Sequence, residues 1–166
     1  MSTTKILLLE DNPGDARLIQ ELLRDGQGRP IEIINTQSLK QTFDRLKETT
    51  VDVALVDLSL PDSHGLETFR TLAGQHPSLP QVLLTGLNDQ EIAIQAVREG
   101  AQDYLVKGEV DGPVLIRAID YAMERKRIQA ELEAVNAQVQ KSADDLHSIL
   151  NQLHIGTILR PCRYRG

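Results

Sequence analysis

Five polar side chains stand where apolar runs stop, and together they carry the chemistry of a phosphoryl site. Glu10 and Asp11 follow Lys5-Ile6-Leu7-Leu8-Leu9, and Asp57 closes Val53-Ala54-Leu55-Val56. Thr85 closes Gln81-Val82-Leu83-Leu84, and Lys107 closes Asp103-Tyr104-Leu105-Val106. A carboxylate is costly to bury alone, so acids at the ends of core strands mark the mouth of a site. Three carboxylates brought together repel one another unless a cation joins them. Oxygen ligands without cysteine or histidine suit a hard ion. Mg²⁺ comes first, because it accepts two or three protein ligands and keeps several waters. The Thr85 hydroxyl and the Lys107 ammonium then offer donors to an anion held beside the metal. A carboxylate able to attack phosphorus in that setting gives an acyl phosphate.

The chain must bring these groups together across nearly a hundred residues, and its patterning shows how. Aliphatic runs too short for helices and apolar on successive residues read as strands buried on both faces. Between them, apolar residues recur at helical spacing: Leu18, Ile19, Leu22 and Leu23, closed by Asp25-Gly26, and then Leu39, Phe43 and Leu46 with Ser38 as a cap. Leu66, Phe69 and Leu72 mark a third helix, Ile92, Ala96 and Val97 a fourth, and a fifth starts near Gly112-Pro113. Ile31 to Asn35 supplies the remaining strand. Five strands alternating with five helices imply right-handed crossovers, hence an α/β, doubly wound, five-stranded parallel sheet with helices on both faces. In such a sheet functional groups collect beyond the carboxyl ends of the strands, which is where all five polar residues fall.

The ordered set L-L-L-E-D-N, A-L-V-D-L-S-L-P-D-S-H-G-L, V-L-L-T-G and A-Q-D-Y-L-V-K, spread over about Lys5 to Arg125, resembles the receiver domain of two-component response regulators. The resemblance implies a flavodoxin-like strand order 2-1-3-4-5 and names Asp57 as the residue that takes a phosphoryl group from a phosphohistidine. By the same likeness Glu10 and Asp11 hold Mg²⁺ with Asp57 and the backbone carbonyl of Ser59. Lys107 and Thr85 contact phosphoryl oxygens, and Tyr104 occupies the aromatic switch position. The implied partner is a histidine kinase or phosphotransfer protein, and the chain is a signalling phosphoacceptor with at most weak self-dephosphorylation. One departure stands out: the family usually places proline after the lysine, joined by a cis peptide, whereas Gly108 follows Lys107 here. That leaves the isomer open. Ser59 and Leu87 fall at family positions that vary and affect phosphate lifetime. A metal-dependent phosphatase of the same topology is the competing reading. Such enzymes carry a second aspartate two positions after the nucleophile, and Ser59 stands there instead.

Composition narrows the class further. At 166 residues and 40% hydrophobic content the chain can build one ordinary core, and 3% aromatics makes that core aliphatic. A net charge of −6 with no basic stripe and no helix-turn-helix pattern gives an expectation of no nucleic-acid binding. Neither a long apolar span nor a leader is visible, and Cys162 has no partner cysteine, so the expectation is a cytoplasmic protein without a membrane segment.

Past the sheet the pattern changes. Ile128, Leu132, Val135, Val139, Ser142, Leu146, Ile149 and Leu153 are spaced 4-3-4-3-4-3-4, a heptad seam with one polar member. At about 1.5 Å per residue the seam runs about 39 Å, and its simplest occupant is a second copy in a parallel homodimer. Leu146 to Leu159 bears a weak likeness to the entry of a PAS-type sensor domain, through Ile155-Gly156-Thr157-Ile158. The expected organisation is a receiver over residues 1–125 and a helical coiled-coil extension over 126–155. Residues 156–166 are expected to be a disordered tail or the start of a further domain.

Overall fold

The computed structural model describes residues 3–25 and 30–158. Alternation of strand and helix is realised through β1 (Thr4–Leu9), α1 (Pro13–Asp25), β2 (Ile31–Thr36), α2 (Leu39–Glu48) and β3 (Val53–Asp57). A short pair, β4 (Ser59–Leu60) and β5 (Ser63–His64), comes next. It is followed by α3 (Leu66–Gln75), β6 (Gln81–Thr85), α4 (Gln90–Arg98), β7 (Asp103–Val106) and α5 (Gly112–Ile158). The main sheet is parallel in the order β2-β1-β3-β6-β7, which is the anticipated 2-1-3-4-5 once the separate β4-β5 pair is counted.

Successive strand side chains point to opposite faces, and the core divides accordingly. Ile6, Leu8, Val53, Leu55, Val82 and Leu84 pack with Ala16, Ile19 and Leu23 of α1 and with Leu115, Ala118, Ile119 and Ala122 of α5. Leu7, Leu9, Ala54, Val56 and Leu83 take the other face with Leu39, Phe69, Leu72, Ala93 and Ala96 from α2, α3 and α4. Each fully buried aliphatic side chain contributes about 1.5–3 kcal/mol, so a nearly aromatic-free core still anchors the sheet.

The β4-β5 pair, read from sequence as a plain turn, is antiparallel and pairs Ser59 with His64 and Leu60 with Ser63. Leu60 is 1% exposed, and the Gly65 amide donates to the Leu58 carbonyl at 2.6 Å, so burial and one backbone bond close the hairpin. Asp62 at its tip accepts from the Leu39 and Lys40 amides, both at 3.1 Å, while Ser38 Oγ accepts from Gln41 at 3.2 Å. The first turn of α2 is thereby capped twice, once by its own serine and once by the hairpin.

The chain divides into two units, Met1–Arg127 and Ile128–Gly166. The second contains the rest of α5, whose large apolar side chains from Ile128 to Leu153 are exposed. The Ile155-Gly156-Thr157-Ile158 stretch falls in the last turns of α5, while Leu159 and the tail anticipated as disordered lie outside the described residues, as does Gly26. Among the described residues no helix is long and apolar enough to cross a membrane.

Candidate functional site

Parallel register aligns the strand ends that carry the site. Leu9 pairs with Val56, Asp57 with Leu84, and Thr85 with Val106, so the residues that follow meet at one rim. There Glu10, Asp11, Asn12, Asp15, Asp57, Ser59, Gly86, Asp89 and Lys107 line an open crevice of about 330 Å³. Carboxylate oxygens of Glu10, Asp11 and Asp57 lie within 4.8 Å of one another, with Glu10 and Asp57 buried and Asp11 exposed. This donor set of hard oxygens, with no thiol or imidazole, fits a hard divalent cation.

Lys107 organises the buried side of the crevice. Its ammonium is 3.0 Å from Asp57 Oδ2 and 3.2 Å from Asp15 Oδ2, and pairs with Glu10 Oε2. Burial alone would pull the lysine pKa down, but hydrogen bonds to Glu10 and Asp57 outweigh it and the pKa is raised, so Lys107 stays charged. The Glu10 pKa is raised, first by burial and further by the Asp57 charge, against lowering hydrogen bonds from Lys107 and the Asn12 amide. Asp57 Oδ1 also accepts from the Ser59 amide at 3.2 Å. One oxygen of the carboxylate thus meets backbone and the other meets the lysine.

Thr85 is fully buried at the end of β6, and its Oγ1 has no hydrogen-bond partner. Its carbonyl accepts from the Lys107 amide at 2.8 Å, which fixes where the lysine leaves β7. There is no cis peptide among the described residues. Gly108 instead has φ of 84°, in the left-handed region that proline, held near −65°, does not enter. Tyr104 lies half-buried on β7 against the cluster that holds Leu83, Ala93 and Ala96.

Two contributors escaped the sequence reading. Asn12 Oδ1 accepts from the Gly14 and Asp15 amides at 2.8 and 3.2 Å, which caps α1 ahead of Pro13 at its first position. The capped turn holds Asp15 as a third acid on Lys107. The available signal was its place four residues after Asp11, in the first turn of the helix that leaves the site.

A parallel sheet whose central strand ends in an aspartate, with acids from the adjoining strand and a lysine two strands away, defines a class of α/β signalling domains. The response regulator receiver domain matches residues 6–120, and the chain belongs to that family. Among curated relatives it is similar to the response regulator protein PilR of Pseudomonas aeruginosa, 29% identical over 154 residues. That match covers 92% of this chain and 34% of the relative. The transcriptional regulatory protein ZraR of Escherichia coli K12 is 29% identical over 133 residues, covering 80% and 29%. The chain thus spans about a third of the length of these relatives. Among solved structures, a response regulator receiver domain protein from Clostridium thermocellum superposes with a TM-score of 0.65 at 28% identity. It covers 76% of this chain and 98% of the other. An adenylate cyclase structure from Rhodopirellula baltica shares the fold, with a TM-score of 0.67 at 22% identity, covering 82% of this chain and 98% of that one.

Proposed function

We propose that this receiver takes a phosphoryl group from the phosphohistidine of a kinase or phosphotransfer protein onto Asp57. The observation that carries the reading is the placement of Asp57 at the rim of the sheet, in one crevice with Glu10 and Asp11 and 3.0 Å from the Lys107 ammonium. A carboxylate oxygen of Asp57 attacks phosphorus. The bond from phosphorus to the donor imidazole nitrogen breaks, and the leaving imidazole keeps the electron pair and takes a proton. Glu10, Asp11 and Asp57, with the Ser59 carbonyl, would hold Mg²⁺, which supplies charge neutralisation on the transferring oxygens. Lys107 pairs with one phosphoryl oxygen. The Thr85 hydroxyl, buried and without a partner, donates to another once it can reach it.

The product adds about −1.5 to −2 charge and three strong acceptors beside one lysine and one hydroxyl. Driving a two-state switch from 1:99 to 99:1 takes about 5.5 kcal/mol, a scale that a few charge-assisted hydrogen bonds approach. Tyr104, half-buried beside Leu83, is the side chain placed to follow Thr85 inward. On this reading the protein is a phosphoacceptor rather than a turning-over enzyme, works in the cytoplasm, and hands its state to the helical unit beyond Arg127, which serves as output and dimer contact.

Incubation with a small acyl phosphate and Mg²⁺, followed by intact mass, tests the assignment. The parent gains one phosphoryl group and Asp57→Asn gains none. Equal phosphorylation of Asp57→Asn, or none of the parent, overturns it.

A further inference from the structure

Three acids hold the Lys107 ammonium, and they are not equivalent. Glu10 and Asp57 belong to the carboxylate group that fits a divalent cation, whereas Asp15, whose Oδ2 is 3.2 Å from the ammonium, does not. In the transfer proposed above, on which this inference rests, Glu10 and Asp57 serve as metal ligands and Asp57 is also the nucleophile. Their hold on the lysine is then shared, while that of Asp15 is undivided. We propose that Asp15 is a positioning residue for the transfer, keeping the Lys107 ammonium beside Asp57 while a phosphoryl group arrives there.

The lysine needs such a tether. Its amide is fixed on the Thr85 carbonyl at 2.8 Å, but the ammonium lies beyond it at the end of a flexible four-carbon stem. The next residue, Gly108 at φ of 84°, adds backbone freedom rather than stiffness. Asp15, by contrast, is placed firmly. It sits in the first turn of α1, where the helix N-terminus favours a carboxylate. Its amide donates to Asn12 Oδ1 at 3.2 Å, and the Asn12 amide donates to Glu10 Oε1 at 3.0 Å. Since the ammonium meets both Asp15 Oδ2 and Glu10 Oε2, Glu10, Asn12, Asp15 and Lys107 close a ring of polar contacts. Gly14 leaves room for it, because a Cβ there would stand only 3.2 Å from Asn12 Oδ1. The Glu10 side chain is 0% exposed and that of Asp15 43%, so the ammonium is gripped from the solvent side as well as from the buried one. An ammonium has three donors, and with one on Asp15 two remain for Glu10 and a phosphoryl oxygen.

Initial rates of phosphorylation by a small acyl phosphate, followed by intact mass at varied donor and Mg²⁺, test the role in the full chain. Asp15→Ala is expected to lower the limiting rate about tenfold, because a misplaced charge is lost to the transition state. The half-saturating concentrations of donor and Mg²⁺ should stay within about twofold, and Asp15→Glu should recover part of the rate. In a Lys107→Met background, followed over hours, Asp15→Ala should change the rate by less than about twofold, since it acts through the ammonium. A merely structural role for Asp15 would persist in that background. Asp15→Ala as fast as the parent, a tenfold higher Mg²⁺ requirement, or an equal loss with and without Lys107 overturns the positioning role and leaves the Asp57 assignment standing. A parent that gains no phosphoryl group overturns both.

Discussion

Adding Mg²⁺ at fixed ionic strength should raise the thermal stability of this protein, because the crevice gathers acids that repel one another. Carboxylate oxygens of Glu10, Asp11 and Asp57 are no more than 4.8 Å apart. At an effective dielectric of about 20, two unit charges at that distance repel by on the order of 3 kcal/mol. Lys107 offsets part of this for Glu10 and Asp57, and solvent screens part for exposed Asp11. A divalent cation reverses the sign of what remains. Binding that favours only the folded state adds about 2.7 kcal/mol when the free ion is at a hundred times its dissociation constant. For a folded unit of this size that is a midpoint shift of roughly 10 °C. Differential scanning calorimetry in Mg²⁺, against NaCl of matched ionic strength, measures it. Asp11→Asn removes one ligand and should need at least tenfold more Mg²⁺ for the same shift. Identical midpoints in Mg²⁺ and matched NaCl, or an Asp11→Asn protein that responds like the parent, would refute the metal-site argument.

Two further outcomes test other parts of the structure. Asp62→Ala frees the Leu39 and Lys40 amides and should cost about 1–2 kcal/mol in urea unfolding, with Asp62→Asn recovering part of it. The Arg70–Glu99 fork joins α3 to the end of α4 through two hydrogen bonds of 2.8 Å, and its first effect is to hold Glu99 below the usual carboxylate range. A depressed acid stabilises the fold above its unfolded pKa of 4.5, and that contribution fades as pH falls below it. Glu99→Gln should therefore be slightly less stable than the parent at pH 7, and the gap should close as pH drops below about 4.5 and as salt rises. A gap unchanged at pH 3 would sink that account.

The sheet was legible because its signals are local. Short aliphatic runs ending in Glu10, Asp57, Thr85 and Lys107 announce buried parallel strands, and topology then brings their ends together. The β4-β5 pair was not legible, since Pro61-Asp62-Ser63-His64-Gly65 is turn composition and only the burial of Leu60 makes it a hairpin. Asp62 reads as a turn former, and its caps on α2 span 22 and 23 residues of sequence. Asp15 was passed over because its contact with Lys107 spans 92 residues. The departure at Gly108 was visible, but its cause was not, because a backbone at φ of 84° appears only in three dimensions.

The doubly capped start of α2 contrasts with the start of α4. At the entry to α4, Asp89 makes no side-chain cap, and the hydroxyl of Thr85 nearby is held by nothing. If Asp57 carries the phosphoryl group as proposed, the unpartnered Thr85 hydroxyl makes the β6–α4 side the one expected to yield, and the hairpin that caps α2 the side expected to hold.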